Sequence, residues 1–425
     1  MSKRSLFLPR LCAALLLPLL CLPLSAQAAQ DSALMNACKE AVPAYTDLFK
    51  ALVSQDSGSM DIAGLSAKKD FLVSRLKALG AEVELLEAAG EKRKGTYNIV
   101  ARVRGTGKAR ILLLSHYDTV WPAGEAASRP FTIKDGRICG PGAGDTISGV
   151  AGCLTVLDIL QKQNYRDFEV LTLFLNADEE IGSFGAIDQI MAEAARHDAA
   201  FSTEGGGENG DSVAVACRGG GRVTITVKGK RAHTGQPHLG HNAGVELVRQ
   251  IHGMLDLADR EKWTDCTWSL GSFGTNVNVV PDSATATLQV RIADSSEVER
   301  LKRDILERIS HVTDPGCTVE AQFSISRPPF EYTGSTAVLA GAARRIFQEE
   351  VGRTLNYERS WGSSDANWAS QKTPTLEGLG MSSANAHQRS EFSALAPVPD
   401  RLYLLARLIQ ETCEGRTVPI GAARQ

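Results

Sequence analysis

A histidine and a carboxylate stand together where a predicted strand ends, and this pair could bind a metal ion. The apolar run 111–114 leads into His116 and Asp118. Alternate residues of an extended backbone share a face, so these two side chains point the same way. A neutral imidazole can bind a metal while a neighbouring carboxylate orients the ring. Taken alone, His-x-Asp is more typical of a structural pair, and only its surroundings favour a metal site.

A second carboxylate follows in a glycine-rich turn. Asp145 ends the segment Gly140-Pro141-Gly142-Ala143-Gly144-Asp145, and a predicted helix comes next. Glycines permit a close approach of the backbone and positive φ angles. An aspartate at this point is commonly a helix N-cap. Its position after the His116 strand favours the alternative interpretation, a metal ligand.

The remaining acids also follow short apolar strands. Asp178, Glu179 and Glu180 are consecutive, and bringing three acids together is costly unless a cation or a shared proton offsets their repulsion. A solvated acidic turn is the other interpretation. Glu204 follows another short apolar strand, and His387 comes late in the chain after Gly378-Leu379-Gly380. The order and setting of these residues are not easily matched by chance.

Alternating strands and helices must position these side chains. In the first half we predict strands at Tyr97–Arg102, Ala109–Ser115 and Val170–Leu175, and a helix at Asp145–Gln163. This alternation predicts an α/β sandwich with a largely parallel sheet. Working residues of such sheets lie at the carboxyl ends of strands.

The pattern changes at Gly219-Gly220-Gly221, which we interpret as a flexible hinge. The following order is β-α-β-β-α-β, typical of a small ferredoxin-like α+β domain. Its predicted elements are Arg222–Gly229, Ala243–Asp259, Thr267–Phe273, Ala284–Ile292, Ser296–Ile309 and Thr318–Ser326. Helical patterns return at Leu339–Glu349 and Arg401–Thr412. We therefore expect one catalytic domain in two segments, 29–218 and 327–425, interrupted by an inserted domain at 219–326.

The first 28 residues are typical of a signal peptide. Lys3, Arg4 and Arg10 flank an apolar run, and Ala26-Gln27-Ala28 has the small-x-small form of a cleavage site. We expect an exported protein, periplasmic or secreted, without stable membrane insertion, because no apolar run reaches the roughly 20 residues of a membrane span.

Composition adds two expectations. The chain of 425 residues has 46 basic and 49 acidic residues, a balance that gives no reason to expect nucleic acid. Seven cysteines follow the leader, without the C-x-x-C spacing of a zinc site. An exported location permits disulfides, and we considered the pairs Cys38–Cys413 and Cys266–Cys317.

Taken together, these segments resemble a family of zinc metallopeptidases that contains glutamate carboxypeptidase, aminoacylase, acetylornithine deacetylase and succinyl-diaminopimelate desuccinylase. The resemblance is strongest to bacterial glutamate carboxypeptidase and spans almost the whole mature chain in the family's order. It is carried by SHYDTV, GPGAGD, NADEEIGSFG, FSTEG, GKRAHTGQP, HNA, NVVP, QVRIAD, GSSDA and the late AH.

The resemblance implies two zinc ions per subunit. It assigns His116 and Glu204 to one zinc, Glu180 and His387 to the other, and Asp145 as the bridge between them. Nitrogen and oxygen ligands suit zinc.

Further roles also follow from the resemblance. Glu179 is then the general base, and Asp118 orients His116. The inserted domain is then a lid and the contact of a homodimer. Its His233 stabilises the oxyanion, often across the dimer, while Asn278 and Arg291 hold the substrate. Arg327 is a second candidate for the substrate carboxylate.

Some residues depart from the family pattern or have no match in it. Thr146-Ile147-Ser148 follows the bridging aspartate, where relatives usually carry an acid or methionine before Lys-Gly-Gly. His238 and His241 have no match and are interpreted as loop residues.

The expected activity is zinc-dependent hydrolysis of the amide next to a C-terminal carboxylate in small peptides or N-acyl amino acids. The alternatives are an N-acyl amino acid deacylase similar to acetylornithine deacetylase and a non-catalytic binding protein. Intact Glu179 and the five ligand positions argue against the binding protein.

Overall fold

The computed structural model describes residues 30–421. The predicted signal peptide lies outside these residues. Helices of the described part are α1 Ser32–Glu40, α2 Val42–Val53, α3 Ile62–Ala78, α4 Glu125–Ser128, α5 Ser148–Lys162, α6 Ile187–Ala194, α7 Ala243–His252, α8 Ser295–Ile309, α9 Gly334–Arg345, α10 Ala366–Ala369 and α11 Val398–Cys413.

The strands include all those predicted, with ends that differ by at most three residues. They are β1 Glu82–Glu87, β2 Tyr97–Arg104, β3 Ala109–His116, β4 Thr132–Lys134, β5 Arg137–Cys139, β6 Phe168–Asn176, β7 Ala199–Ser202, β8 Ser212–Cys217, β9 Gly219–Lys228, β10 Ala232–His233, β11 Asp265–Ser272, β12 Val279–Val280, β13 Ser283–Ile292, β14 Thr318–Arg327, β15 Asn356–Ser360, β16 Thr375–Leu376 and β17 Phe392–Ala394.

A six-stranded sheet organises the larger domain, in the order β1-β2-β6-β3-β7-β16. Its half β6-β3-β7-β16 is parallel, and β1 and β2 add antiparallel strands at one edge. The two faces of β3 are buried on different sides: Ile111 and Leu113 pack with α5 and α11, and Leu112 and Leu114 pack with α6 and α10. Helices on both faces of a largely parallel sheet confirm the predicted α/β sandwich.

The inserted segment has its own sheet, in the order β11-β13-β9-β14, with every pairing antiparallel. Helices α7 and α8 cover it, and a separate apolar cluster fills the space between them. The predicted β-α-β-β-α-β order is present in this sheet. The domain limits 219 and 326 stay a prediction, while β9 begins at Gly219 and β14 ends at Arg327.

The glycine triplet is not the flexible hinge that the sequence predicted. Gly219, Gly220 and Gly221 are buried and open β9, where they pair with β13 and β14. A Cβ at Gly219 would lie 2.6 Å from the backbone nitrogen of Pro329, and one at Gly221 would lie 2.8 Å from the carbonyl oxygen of Ser324. The glycines therefore permit close packing of backbone rather than free rotation.

Several predicted helices have different limits in the structure. The one predicted at Leu339–Glu349 is α9, Gly334–Arg345, continued by a π-helical segment at Ile346–Val351. The helix predicted from Asp145 begins at Ser148, because Asp145 has an extended backbone with φ −129° and ψ 96°. The helix predicted to reach Asp259 ends at His252. Gly253 follows, with its low helix propensity, and its carbonyl accepts a hydrogen bond from Arg308 at 2.7 Å.

All seven cysteines of the described residues are free thiols. The pairs Cys38–Cys413 and Cys266–Cys317 are therefore wrong for this structure. Within residues 30–421, one helical stretch, 143–162, is long and apolar enough to cross a membrane by length and composition alone, and 89% of its apolar window is buried inside the fold.

Candidate metal centre

The candidate site lies where three neighbouring parallel strands end. Strand β3 ends at His116, β6 is followed by Glu179 and Glu180, and β7 is followed by Glu204. Since β6, β3 and β7 are adjacent in the sheet, their carboxyl ends bring these side chains to one edge. The loops that carry Asp145 and His387 reach the same edge from other parts of the chain.

The five predicted ligands come together there. The His116 Nε2 atom lies 3.2 Å from Asp145 Oδ1 and 3.3 Å from Glu204 Oε1. The His387 Nε2 atom lies 3.1 Å from Asp145 Oδ2 and 3.0 Å from Glu180 Oε2. Asp145 thus contacts one imidazole with each carboxylate oxygen, which is the position that a bridging ligand requires.

Asp118 holds the first histidine and the acidic turn together. Its Oδ1 lies 3.3 Å from His116 Nδ1 and accepts a hydrogen bond from the Glu179 amide at 3.1 Å. Its Oδ2 accepts from the Glu180 amide at 3.2 Å and from Ser59 Oγ at 2.7 Å. Asp118 is completely buried. This single carboxylate therefore orients the His116 ring and also the backbone that carries Glu179 and Glu180.

The electrostatics of the cluster reflect crowded charges. Burial raises the pKa of Glu180 to about 7, and hydrogen bonds to Asp145 and Glu180 raise the pKa of His387 to about 10. Burial disfavours the His116 imidazolium, but the neighbouring Glu204 and the other carboxylates outweigh it and raise the pKa. Carboxylates that favour positive charge on both imidazoles would equally favour a metal cation between them.

The three consecutive acids have separate environments. Asp178 turns away from the cavity. Its Oδ2 accepts a hydrogen bond from the Gly185 amide at 2.7 Å and lies 3.7 Å from Arg93 Nε. Glu179 and Glu180 face the cavity. The predicted repulsion among three adjacent acids is therefore reduced, because Asp178 points away from the other two and lies beside Arg93.

Glu179 is buried beside an arginine from the inserted sheet. Arg327 Nη2 lies 2.7 Å from Glu179 Oε1 and donates to the Glu179 carbonyl at 2.8 Å. Burial raises the pKa of Glu179 well above its usual value, although Arg327 opposes this shift. Arg327 was predicted as a substrate contact. In this structure its guanidinium is buried and pairs with the acid predicted to be the general base.

The other predicted lid residues lie outside this contact network. Within residues 30–421, no hydrogen bond or ion pair joins His233 or Asn278 to the five ligands. His233 is exposed on β10, and its Nδ1 accepts from the Gly235 amide at 3.0 Å. Arg291 lies on β13 and is exposed to solvent over part of its surface. The burial of the remainder, together with the nearby charge of Arg218, lowers its pKa. The roles of these three residues stay predictions.

Two further acids, for which the sequence predicts no role, support the site. Asp365, within the quoted GSSDA segment, accepts hydrogen bonds from Asn176 Nδ2 at 2.7 Å and from Ser183 Oγ. Glu391 accepts three backbone amides of the Gly142–Asp145 turn. An acidic residue near predicted ligands was the available hint of such a role. The groups that each acid contacts are distant in the chain, so these contacts could not be predicted.

Comparison with known proteins identifies the family of this chain. Residues 112–411 match the family described as peptidase family M20/M25/M40. The chain belongs to this family. It is 31% identical over 390 residues to carboxypeptidase G2 of Pseudomonas sp. (strain RS-16), covering 91% of this chain and 94% of that protein.

Two further relatives of this M20/M25/M40 chain widen the comparison. A succinyl-diaminopimelate desuccinylase of Parvibaculum lavamentivorans is 26% identical over 348 residues, covering 76% of this chain and 85% of the relative. The crystal structure of a tripeptidase from Staphylococcus aureus has a TM-score of 0.70 at 22% identity, covering 90% of this chain and 99% of that one, and it supports the fold.

The family match includes all five predicted ligand positions, from His116 to His387. The M20/M25/M40 peptidases are metal-dependent hydrolases, so this chain is a metallopeptidase of the carboxypeptidase and amidohydrolase type. His116, Asp145 and Glu180 offer ligand atoms that all lie within 4.8 Å of one another. The five-residue cluster is therefore the candidate metal centre of the enzyme.

Proposed function

We propose that this protein is a dinuclear zinc exopeptidase of the glutamate carboxypeptidase type, which hydrolyses the amide next to a free carboxylate in small peptides or N-acyl amino acids. The observation that carries the proposal is the position of Asp145 between two imidazoles, His116 at 3.2 Å and His387 at 3.1 Å. The 31% identity to carboxypeptidase G2 supports the same activity.

The residues present fit two zinc ions. Two imidazole nitrogens and three carboxylates form a donor set that zinc prefers. Glu180 Oε1 is buried and has no hydrogen-bond partner among the described residues, as expected of an oxygen that faces a cation. His116, Asp145 and Glu204 would hold one ion, and Asp145, Glu180 and His387 the other. When bound, zinc acts as a Lewis acid on the scissile carbonyl and lowers the pKa of water.

Glu179 supplies the proton transfers in this proposal. Its carboxylate lines the same cavity as Asp145, Glu180, Glu204 and His387, a space of about 730 Å³. Glu179 takes a proton from the attacking water and returns it to the nitrogen of the leaving amine. Asp118 keeps Glu179 in reach, because it accepts the amide hydrogen of that residue.

The substrate carboxylate is assigned to Arg291, helped by Asn278. A guanidinium can hold a carboxylate through two hydrogen bonds. Arg291 is exposed and lies near the guanidinium groups of Arg218 and Arg327, whose charges favour binding of an anion. His233 is assigned to the developing oxyanion, and because it contacts no ligand residue here, it would act from a partner subunit or after closure of the inserted domain.

A homodimer through the inserted domain is part of the proposal. Val245 and Val248 on α7 and Leu270 on β11 are 46%, 54% and 72% exposed. Exposed apolar residues on the surface of a helix and on an edge strand are typical of an interface. Val248→Glu is expected to shift the sedimentation coefficient from dimer to monomer; a wild-type monomer would contradict this part.

Export through residues 1–28 is also proposed, to the periplasm or beyond. The leader pattern supports it. Amino-terminal sequencing of the protein from its native compartment should give Ala29 as the first residue, and an intact Met1 would contradict cleavage.

The second candidate function is deacylation of an N-acyl amino acid. The desuccinylase relative, which covers 76% of this chain, favours it. Both reactions hydrolyse an amide beside a carboxylate and use the same residues. A binding protein without turnover is the third hypothesis, and the buried Glu179 inside the cavity argues against it.

Release of amino acids from a panel of N-acyl amino acids and dipeptides tests the proposal. Zinc-loaded protein should release a C-terminal amino acid, and a chelator should stop the release. Faster release from acetylornithine or succinyl-diaminopimelate than from any dipeptide or acylglutamate would favour the second candidate. Two bound zinc ions without release from any member would support the binding protein instead.

A further inference from the structure

Glu391 is a buried carboxylate that the proposed reaction does not use. Its Oε1 accepts the amide hydrogens of Gly144 at 2.8 Å and Asp145 at 2.9 Å. Its Oε2 accepts the Gly142 amide at 3.2 Å and Trp121 Nε1 at 3.1 Å. The residue is 0% exposed. All four donors are therefore directed at one acceptor group, and three of them belong to the turn that carries Asp145.

The fold places Glu391 where two ligand-bearing loops meet. Strand β17 begins at the next residue and pairs with β5, which leads directly into the Gly142–Asp145 turn. Ala384 and Phe392 exchange backbone hydrogen bonds at 3.1 and 3.2 Å, and this pair closes the loop that carries His387. Glu391 thus lies in the same loop as His387, and its side chain is hydrogen-bonded to the turn that carries Asp145.

The turn depends on these bonds. Asp145 has an extended backbone and is not part of helix α5, so its amide has no helical acceptor. An amide hydrogen that is buried without an acceptor costs free energy, and Glu391 removes this cost for three residues at once. The orientation of the Asp145 carboxylate, with one oxygen toward each imidazole, follows from the backbone that Glu391 holds.

We propose that Glu391 is a positioning residue of the metal centre, which holds Asp145 between His116 and His387 and thereby sets the zinc affinity of the site. This inference rests on the proposed function, because it takes Asp145 as the bridging ligand. Loss of a residue that orients a metal ligand through hydrogen bonds commonly weakens metal binding by about 10- to 100-fold, and Glu391 orients Asp145 through the backbone amides of its turn.

Glutamine at this position provides a sharp test, because a carboxylate accepts hydrogen bonds with both oxygens and an amide accepts with only one. In Glu391→Gln, the NH₂ group would face either the Gly144 and Asp145 amides or the Gly142 amide and Trp121. The apo protein would be titrated with Zn²⁺ against a competing chromophoric chelator. We expect Glu391→Gln and Glu391→Ala to bind zinc about 10- to 100-fold more weakly than the wild-type protein. Their Co²⁺-loaded samples should show shifted d–d absorption bands.

Glu246 provides the matched control. It is also 0% exposed and accepts two backbone amides, from Thr313 and Asp314, both at 3.1 Å. It lies on α7 of the inserted domain, so Glu246→Gln should leave zinc affinity and the cobalt spectrum unchanged. Circular dichroism and thermal melting of the apo proteins identify the variants that fold.

The outcomes separate this inference from the proposed function. Wild-type protein that binds no zinc would overturn the metal centre itself. Folded Glu391 variants with wild-type zinc affinity would overturn only the positioning role, and so would an equal loss in Glu246→Gln. If Glu391→Gln and Glu391→Ala do not fold, Glu391→Asp provides the test, because it keeps the negative charge on a shorter side chain. Weaker zinc binding by this variant would support the positioning role, and unchanged binding would refute it.

Discussion

Asp118→Asn changes one oxygen of the residue that links His116 to the acidic turn. In the wild-type protein, the two carboxylate oxygens accept three hydrogen bonds, from Ser59 Oγ at 2.7 Å and from the Glu179 and Glu180 amides at 3.1 and 3.2 Å. Asparagine has one acceptor oxygen. Whichever way its amide is turned, one buried backbone N–H faces an NH₂ group.

The size of the effect follows from these contacts. A buried donor that loses its acceptor costs about 1–3 kcal/mol, and hydrogen bonds to charged groups lie at the upper end. His116 also loses the negative charge that lies 3.3 Å from its Nδ1. A combined cost of about 3 kcal/mol corresponds to a loss of roughly a hundredfold, since each 1.4 kcal/mol is a factor of ten.

Steady-state kinetics at saturating zinc on the best substrate of the panel measure this loss as kcat/KM. Ser59→Ala removes one neutral donor to Asp118 and leaves both backbone amides paired, so we expect less than about a tenfold loss in this control. Activity of Asp118→Asn within about threefold of wild type would refute the reasoning. Equal losses in both variants would show that the Ser59 contact, rather than the turn, matters.

Three more perturbations follow from the same geometry. Glu179→Gln should lower kcat by about 10²- to 10⁴-fold while zinc content stays near the wild-type value, measured by kinetics and elemental analysis, and surviving turnover would exclude Glu179 as the base. Arg291→Ala should raise KM by roughly 10- to 100-fold for substrates with a free carboxylate and have little effect on their amidated forms; equal effects on both would exclude a carboxylate contact. Burial lowers the pKa of Lys68 to about 7 from 10.5, although Asp56 opposes this shift. The unfolded chain therefore holds this proton at pH values where the folded chain does not, and stability rises between about pH 7 and 10.5. Lys68→Met should accordingly raise the melting temperature more at pH 6 than at pH 10, and an equal gain at both would contradict the shift.

The strand ends could be predicted because periodicity alone locates them. Runs of apolar residues end at His116, before Glu179 and before Glu204, and the order of a parallel sheet then brings these positions together. The order of the motifs along the chain also indicated the family. The fold could therefore be predicted from the sequence. The ligand set was implied by the family resemblance and stays a prediction, although the structure brings its five residues together.

Contacts between distant loops could not be predicted from the sequence. Glu391 and Gly144 are 247 positions apart, and no local pattern relates a glutamate in one loop to amide hydrogens in another. The helix predicted from Asp145 failed for the same reason: its apolar spacing is helical, but the Glu391 hydrogen bond to the Asp145 amide belongs to an extended turn. The glycine triplet was equally ambiguous, because glycine occurs both where the backbone must be flexible and where backbone segments pack closely.

Two arginines of the inserted sheet lie on either side of the same glycine and have different partners. Gly220 of β9 pairs with Arg291 on one side and with Arg327 on the other, and a Cβ there would lie 2.9 Å from Arg291 Nη1. Arg327 is buried and pairs with Glu179 at 2.7 Å, and breaking such a buried pair leaves an uncompensated charge. Among residues 30–421, Arg291 has no ion pair. Arg327 is thus engaged by Glu179 whereas Arg291 is not, which supports our proposal of Arg291, rather than Arg327, as the substrate contact.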